Sequence, residues 1–273
     1  MEVNSFRVGD LTIGGPRLTL IAGPCMAESA ELCTQVAETM AEICVRLDIG
    51  YIFKASFDKA NRTSIHSKRG PGLDEGLKMI QETARAIGAP CTTDVHDVSQ
   101  AEAVGQAVDL LQVPAFLCRQ TDLLVACAST GRPVNVKKGQ FLAPHDAKNI
   151  VTKLEECEAS GIMLTERGTS FGYNTLIVDM PGLERMRSFG RPVCFDATHS
   201  AQRPGGQGES TGGARETIPA MTRAAMAVGI DALFLEVHPN PASAMSDAAT
   251  QWPLDQAEAL LRSALRVRNS LAE

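Results

Sequence analysis

The sequence lacks the features that mark membrane proteins and nucleic-acid-binding proteins. No stretch reaches the roughly 18 consecutive apolar residues that a bilayer span requires, and residues 1–17 contain no apolar core of signal-peptide length. The basic residues form neither a run nor a stripe interleaved with aromatic residues, and the formal net charge is -6. These absences predict a cytoplasmic protein that binds small molecules rather than nucleic acid or a membrane.

The absence of an export signal also bears on the eight cysteines. An even number would allow disulfide pairing in a secreted chain, but these cysteines are scattered through apolar segments. Disulfides are rare in proteins that stay in a reducing compartment. We therefore expect most of the cysteines to be reduced thiols in the core: Cys25, Cys33, Cys44, Cys91, Cys118, Cys127, Cys157 and Cys194.

Length and composition allow one large α/β domain. The chain has 273 residues, of which 44% are hydrophobic and 21% charged, so a full core can be buried. Short apolar runs alternate eight times with amphipathic stretches, a rhythm typical of a parallel sheet. The strand candidates are residues 18–22, 51–55, 90–95, 109–113, 133–137, 161–165, 192–196 and 232–237. This pattern predicts a (β/α)8 TIM barrel, with residues 1–273 forming a single catalytic domain.

Three other segments have recognisable patterns. Leu32, Val36, Met40, Ile43 and Leu47 recur at helical spacing, and the same period returns between residues 73 and 87. Residues 3–13 contain a Gly-Asp turn between two alternating runs, which predicts a β-hairpin that closes the bottom of the barrel. Residues 203–213 hold five glycines and no apolar anchor, which predicts a mobile loop, either a lid or an idle linker.

Polar residues follow every strand candidate, at the barrel end where active sites of this fold lie. Several are cations, and we expect them to converge on one face of an otherwise acidic protein. Arginine forks and lysine point charges bind phosphate and carboxylate groups, whereas the alternative is a set of surface salt bridges. The cations are Lys54, Lys59, Arg62, Arg119, Lys138 and Arg167.

A second group combines a thiol, an imidazole and two carboxylates, a mixture that suits a divalent transition metal. Its members are Cys25, His199, Glu236 and Asp247, which only the barrel hypothesis brings together. Alone, Cys25 would be read as a buried thiol and His199 as a hydrogen-bonded histidine. Lys54 at a strand end also raises a Schiff-base aldolase mechanism, although neighbouring cations would favour an anion there.

The chain resembles the 3-deoxy-D-manno-octulosonate 8-phosphate synthases over residues 18–260. The most specific segments are KASFDKANRTSIH at 54–66, QVPAFLCRQTD at 112–122 and NVKKGQF at 135–141. The segments ERGTSFGY at 166–173, FDATHS at 195–200 and EVHPNP at 236–241 extend the match. The resemblance implies a cytoplasmic, homotetrameric barrel enzyme. It would condense phosphoenolpyruvate with arabinose 5-phosphate to make the precursor of the inner core of lipopolysaccharide.

The resemblance also implies roles for individual residues. Phosphoenolpyruvate would be held by Lys59, Lys138, Gln112 and Arg167, with Lys54 in the same pocket. The phosphate of the pentose would be held by Asn61 and by Arg62, which would reach across from a neighbouring subunit. The residues expected to bind substrate are Lys54, Asn61, Arg62, Thr63, Asp94, Gln112, Lys138 and Arg167, and those expected to carry catalysis are Lys59, Lys138, His199 and Asp247. Thr63 stands where many members carry serine.

Members of this family divide into a metal-dependent class and a class in which asparagine replaces the metal-binding cysteine. Cys25 places this sequence with the metal-dependent class, so the resemblance implies a divalent ion, Fe, Mn, Zn or Co, held by Cys25, His199, Glu236 and Asp247. Two alternatives remain. One is a related phosphoenolpyruvate aldol synthase that uses erythrose 4-phosphate, against which the KANR segment argues. The other is a non-catalytic sugar-phosphate sensor, which would have no need of the four metal ligands.

Overall fold

Eight parallel strands close into a barrel in the computed structural model, which describes residues 3–62, 64–207 and 210–271. The barrel strands are β3 (Thr19–Gly23), β4 (Gly50–Lys54), β5 (Cys91–Asp94), β6 (Leu110–Val113), β7 (Val134–Lys137), β8 (Ile162–Glu166), β11 (Val193–Asp196) and β14 (Ala232–His238). Each strand pairs with the next, and β14 pairs with both β11 and β3, which closes the barrel. The predicted (β/α)8 fold is confirmed, and every predicted strand end lies within one residue of the observed end.

Helices on the outside of the barrel connect the strands. They are α1 (Ala30–Leu47), α2 (Leu73–Ile87), α3 (Ala101–Ala107), α4 (Thr121–Ser129), α5 (Lys148–Glu156), α6 (Met180–Arg187), α7 (Ile218–Val228) and α8 (Ala257–Ser270). The side chain of Ser29 accepts a hydrogen bond from the Leu32 amide and so caps the start of α1. Helix α2 ends at Gly88, which takes the left-handed conformation with φ 64°. The predicted apolar faces of α1 and α2 are buried against the sheet.

A β-hairpin closes the N-terminal end of the barrel. It consists of β1 (Phe6–Val8) and β2 (Leu11–Ile13), which pair antiparallel. Phe6, Val8 and Ile13 are buried and belong to an inner cluster that is separate from the larger layer between strands and helices. The other buried members of this cluster are Ile21, Ile52, Leu110, Met163, Cys194, Ala232 and Phe234. The predicted hairpin is thus present, and only the opposite end of the barrel is open.

The glycine-rich segment is more regular than the sequence suggests. Residues Gln202–Gln207 (β12) and Ser210–Gly213 (β13) pair antiparallel as a ribbon, with residues 208 and 209 outside the described part of the chain. The described residues therefore form a paired ribbon, since backbone hydrogen bonds form without apolar side chains, and the expectation of a mobile loop stays a prediction. Three further strands of two residues each, which are too short for a period-two signal, are β9 (Thr169–Ser170), β10 (Leu176–Ile177) and β15 (Trp252–Pro253).

The cysteines agree with the expectation from the sequence. All eight cysteines are free, and seven of them are buried, with Cys157 half-buried. No helix in the described ranges is both long enough and apolar enough to cross a membrane.

Candidate active site

A cavity of about 940 Å³ opens at the C-terminal ends of the barrel strands. It is bordered by loops that follow β4, β5, β6, β7, β8, β11 and β14. Its ionisable side chains are Lys54, Asp58, Lys59, Arg62, Lys68, Asp94, His96, Lys137, Arg167, His199, Glu236 and Asp247. Cations and anions are therefore both concentrated here, and four of the six cations expected from the sequence line this one space.

Arg167 supplies a donor without a protein partner. The residue follows β8 and is only 5% exposed. Its Nη2 donates to Oε1 of Gln202 at 2.6 Å, whereas its Nη1 is buried and has no hydrogen-bond partner among the described residues. Leaving a buried guanidinium donor unpaired is costly, so this position fits an anionic group of a bound molecule.

Two lysines also line the cavity. Lys54 ends β4, and its Nζ pairs with Oε1 of Glu236 at 2.5 Å and donates to the Cys25 carbonyl at 3.1 Å. A Schiff-base lysine needs a free amine, so these contacts do not favour that mechanism. Lys59 donates to Oγ of Ser56 at 3.0 Å. Burial alone would lower the pKa of Lys59, but the neighbouring Cys25 and Glu236 outweigh burial and raise it, so this side chain is a cation.

Arg62 lies at the rim of the cavity in its own chain. Its Nη1 donates to Oγ of Ser246 at 3.1 Å, its Nε donates to the Lys68 carbonyl at 2.9 Å, and its Nη2 contacts the Met245 carbonyl. Arg62 lines the cavity of its own chain, and its contribution across a subunit interface stays a prediction. Asn61 lines the same rim. Thr63 lies outside the described residues.

Lys138 does not reach the cavity, and this corrects the expectation from the sequence. Its side chain is fully buried, with Nζ donating to the carbonyls of Gly139 at 3.3 Å and Leu142 at 3.0 Å. It also lies 3.4 Å from the carboxylate of Glu166. Successive side chains on a strand point to opposite faces, so Lys137 points into the barrel when Lys138 points out. Lys137 lines the cavity in place of Lys138.

Two other expected residues are also outside the cavity. Arg119 follows a short turn after β6 and is exposed on the surface, so it does not line the cavity. Gln112 on β6 is fully buried below the cavity. Both ends of its amide are engaged: Nε2 donates to Asp94 at 2.7 Å, and Oε1 accepts from Nδ2 of Asn135 at 3.0 Å. The expected contact of Gln112 with substrate is therefore replaced by a supporting contact with Asp94, which does line the cavity.

The contacts of Gln112 belong to a hydrogen-bonded chain across the barrel interior. Oγ1 of Thr165 donates to Oδ1 of Asn135 at 2.6 Å, and the chain continues through Gln112 to the Asp94 carboxylate. Ser56 donates to the other carboxylate oxygen of Asp94 at 2.6 Å. Burial alone would raise the pKa of Asp94, but Lys54 and Lys59 hold it below its usual range. A fixed anion therefore lies beside the cations.

The four expected metal ligands lie together. Ligand atoms of Cys25, Glu236 and Asp247 lie within 4.8 Å of one another, and Sγ of Cys25 is 3.2 Å from Oδ2 of Asp247. Nε2 of His199 is 3.6 Å from Oε2 of Glu236 and 3.8 Å from Oδ2 of Asp247. Close packing of β3 and β4 contributes to this arrangement, because a Cβ on Gly23 would lie 1.9 Å from the Lys54 carbonyl oxygen. Only glycine fits at that point.

The donor set fits a divalent transition metal. Oε2 of Glu236 is buried and has no hydrogen-bond partner in the part of the chain that the structure describes. Burial, together with the charges of Glu236 and Asp247, raises the pKa of the Cys25 thiol well above its ordinary value. Such crowding of buried acidic groups is unfavourable without a cation, and sulfur, nitrogen and oxygen donors are those that Zn, Fe, Mn or Co accept.

Four residues for which the sequence predicts no specific role also belong to the site. Lys137, His96 and Gln202 line the cavity, and Asp196 lies directly beneath it. The alternation of side chains along β7 would have identified Lys137, since Asn135 and Lys137 share a face. No local sequence signal identifies Gln202, which donates to Asp247 at 2.7 Å from the start of β12.

The chain is similar to known proteins over nearly its whole length. The model of the DAHP synthetase I family matches residues 5–272. The chain is 57% identical to the 2-dehydro-3-deoxyphosphooctonate aldolase of Cyanothece sp., covering 96% of this chain and 97% of the relative. It is 55% identical to the protein of the same name in Fusobacterium nucleatum, covering 97% and 96%. The protein of that name in Dechloromonas aromatica is 59% identical, covering 89% and 88%.

Proposed function

This chain belongs to the DAHP synthetase I family, together with the 2-dehydro-3-deoxyphosphooctonate aldolases, and from that premise we propose how its cavity works. The chain condenses phosphoenolpyruvate with D-arabinose 5-phosphate and water, giving 3-deoxy-D-manno-octulosonate 8-phosphate and inorganic phosphate. One observation carries the proposal: a cationic cavity with an unpartnered buried guanidinium nitrogen, on Arg167, lies beside the cluster of Cys25, His199, Glu236 and Asp247.

The cations divide between two anionic substrates. Arg167, Lys59 and Lys137 lie deep in the cavity, where they hold the carboxylate and phosphate of phosphoenolpyruvate. Arg62 and Asn61 lie at the rim and hold the phosphate of the pentose. The aldehyde end of the pentose then points inward, toward Cys25, His199, Glu236 and Asp247. Two bound anions fit the number of cations, and holding both substrates in contact supplies much of the rate enhancement.

The chemistry proceeds through three changes. Carbon 3 of phosphoenolpyruvate attacks the aldehyde carbon of the pentose, and the aldehyde oxygen takes a proton as the carbon-carbon bond forms. Carbon 2 becomes electron-poor, and water adds there with loss of a proton. The resulting hemiketal phosphate loses inorganic phosphate as its carbon-oxygen bond breaks. Asp94 and Glu236 are the nearby anions that stabilise developing positive charge, and Lys59 and Arg167 stabilise the departing phosphate.

We also propose that Cys25, His199, Glu236 and Asp247 hold a divalent metal ion, which would be Fe, Mn, Zn or Co. When bound, such an ion supplies Lewis acidity toward an aldehyde or lowers the pKa of a water molecule. Three features of the described residues support the assignment: the mixed donor set, the unpartnered Glu236 oxygen and the raised pKa of the Cys25 thiol.

Residues 1–273 are proposed to act as one catalytic domain in a cytoplasmic homotetramer that serves lipopolysaccharide biosynthesis. Large apolar side chains on the surface support self-association. Four of them are aromatic and more than half exposed: Phe116, Phe141, Phe171 and Tyr173. We propose that Arg62 lies at a subunit interface of this assembly and contributes to the cavity of a neighbouring subunit.

The experiment that tests the reaction compares sugar phosphates. Phosphate release from phosphoenolpyruvate is measured with arabinose 5-phosphate, with erythrose 4-phosphate and with neither. We expect kcat/KM to be much higher with the five-carbon sugar, with one phosphate released per eight-carbon product. A preference for erythrose 4-phosphate would assign the chain to the related synthase of aromatic biosynthesis. Binding of sugar phosphates without turnover would identify a non-catalytic sensor.

A further inference from the structure

We propose that Asp196 is a positioning residue that fixes the ring of His199 so that Nε2 faces Cys25, Glu236 and Asp247. The inference rests on the proposed metal site, and it adds a residue outside the set of four ligands. Asp196 is the last residue of β11, and its side chain is fully buried. It does not itself line the cavity, so it acts through its neighbours rather than on substrate.

Contacts to Asp196 determine the orientation of the imidazole. Nδ1 of His199 lies 2.7 Å from Oδ2 of Asp196, while Nε2 faces Glu236 and Asp247 at 3.6 and 3.8 Å. A carboxylate can only accept, so Nδ1 carries the hydrogen and the lone pair of neutral His199 is on Nε2. A lone pair on Nε2 is the form that binds a metal ion, and a carboxylate behind a ligating histidine is a known way to enforce it.

Asp196 is itself held rigidly. Its Oδ1 accepts from the backbone amide of His199 at 2.9 Å and from Oγ1 of Thr198 at 3.2 Å. Lys137 closes the other side, with Nζ 2.6 Å from Oδ2 of Asp196 and 3.5 Å from the centre of the Phe234 ring. The carboxylate therefore has no alternative rotamer that keeps these contacts. Because Lys137 contacts Asp196, this carboxylate also connects the anion-binding part of the cavity to the cluster of Cys25, His199, Glu236 and Asp247.

The test is cobalt binding by the Asp196→Asn variant. Metal-free protein is titrated with Co(II), and the thiolate-to-cobalt absorption band reports binding at Cys25. We expect the dissociation constant to rise 10- to 100-fold relative to the unsubstituted protein, as is typical when a carboxylate behind a ligating histidine is removed. The matched control is Asp231→Asn, which alters a buried carboxylate, 4% exposed, that precedes β14 and pairs with Arg187 away from the cavity. Its cobalt affinity is expected to be unchanged.

A second measurement needs no variant of Asp196. Nitrogen-15 labelled histidine in the metal-free protein reports which ring nitrogen carries hydrogen, and His199→Gln identifies the signal of His199. We expect hydrogen on Nδ1. Hydrogen on Nε2, or equal cobalt affinity of Asp196→Asn and the unsubstituted protein, would overturn the inference while leaving the metal site intact. Failure of the unsubstituted protein to bind Co(II) would overturn the proposed metal site and the inference with it.

Discussion

Lys137 and Lys138 are adjacent in the chain, yet their ammonium groups lie on opposite sides of the barrel wall. Lys137 pairs with Asp196 inside the barrel at 2.6 Å, and Lys138 lies 3.4 Å from Glu166 in the layer outside the strands. Burial is the main reason that the pKa of Glu166 is raised. Lys137 therefore lines the cavity, whereas Lys138 packs in the layer between the strands and the helices.

The first prediction separates these two lysines. Lys137→Met removes a cation from the cavity, and we expect kcat/KM for phosphoenolpyruvate to fall roughly 100-fold. Lys138→Met leaves the cavity unchanged but removes the partner of buried Glu166, so the free energy of unfolding falls by about 1–3 kcal/mol while kcat/KM stays within a few-fold. Steady-state kinetics and urea unfolding measure the two effects. A larger catalytic loss in Lys138→Met than in Lys137→Met would contradict the assignment.

The second prediction concerns the hydrogen-bonded chain beneath Asp94, in which Thr165, Asn135 and Gln112 each donate to the next residue toward Asp94. Asn135→Asp replaces the amide that donates to Gln112 by an acceptor. If the amide of Gln112 stays in place, its buried oxygen loses the donor that it had on Asn135. If the amide flips, that oxygen faces the carboxylate of Asp94, which is also an acceptor. We expect the free energy of unfolding to fall by about 1–3 kcal/mol, together with a loss of kcat/KM.

A control for this variant comes from the end of the same chain. Thr165→Val removes only the terminal donor, which bonds to Asn135, so a smaller loss of stability is expected. Part of the loss in Asn135→Asp should be recovered at lower pH, because a protonated carboxyl can donate again. Equal effects of the two substitutions at all pH values would show that the direction of the chain does not matter.

The third prediction follows from the pKa of Asp94, which Lys54 and Lys59 hold below its usual range despite burial. A carboxyl with a lowered folded-state pKa stabilises the protein above its unfolded-state pKa, about 3.9, and this contribution is lost as the pH falls toward the folded-state pKa. Asp94→Asn should therefore destabilise the protein at pH 6, by about 1–3 kcal/mol. The difference from the unsubstituted protein should shrink by pH 3.5.

Urea unfolding at the two pH values measures this difference. The matched control is Asp10→Asn, since Asp10 is exposed in the turn of the N-terminal hairpin, and its substitution should change little at either pH. A difference for Asp94→Asn that grows as the pH falls would contradict the sign of the shift.

The fourth prediction concerns thiol reactivity. Burial raises the pKa of Cys33, Cys44 and Cys127 to about 12, so these thiols are neutral at pH 8 and react slowly. Cys157 is half-buried at the end of α5 and is expected to be alkylated first by iodoacetamide. Mass spectrometry of the folded protein at successive times gives the order. Modification of Cys33 or Cys44 before Cys157 would show that the region around α1 opens more readily than its packing implies.

Much of the fold follows from the sequence because the eight buried strands are short apolar runs and the helices between them keep a 3.6-residue period. Polar residues at strand ends could be located because the end of a strand fixes the direction of its side chain, whereas Arg62, His199 and Asp247 lie outside the barrel strands and were expected only together with the barrel hypothesis or the family resemblance. Lys54 and Glu236 were found because they lie within or at the end of strands whose C-terminal ends meet around one cavity. Lys138 was misplaced because the prediction did not count the alternation of side chains along β7.

Other errors had causes that a sequence does not reveal. Gln112 looks like a ligand of substrate, but its amide is used by neighbours from two other strands. Arg119 follows a strand, yet the turn at residues 115–117 directs the chain onto the surface before it is reached. Both depend on contacts between segments distant in sequence, for which spacing along the chain carries no signal.

The cluster of Cys25, His199, Glu236 and Asp247 is the centre of the proposed site, and one measurement tests its role most directly. Phosphate release with phosphoenolpyruvate and arabinose 5-phosphate is followed before chelator treatment, after it, and after Mn(II) is added back, with metal content determined at each stage. We expect activity to be lost with the metal and restored by Mn(II), and Cys25→Ala to bind metal more weakly. Full activity in protein with far less than one metal ion per chain would contradict the role assigned to this cluster.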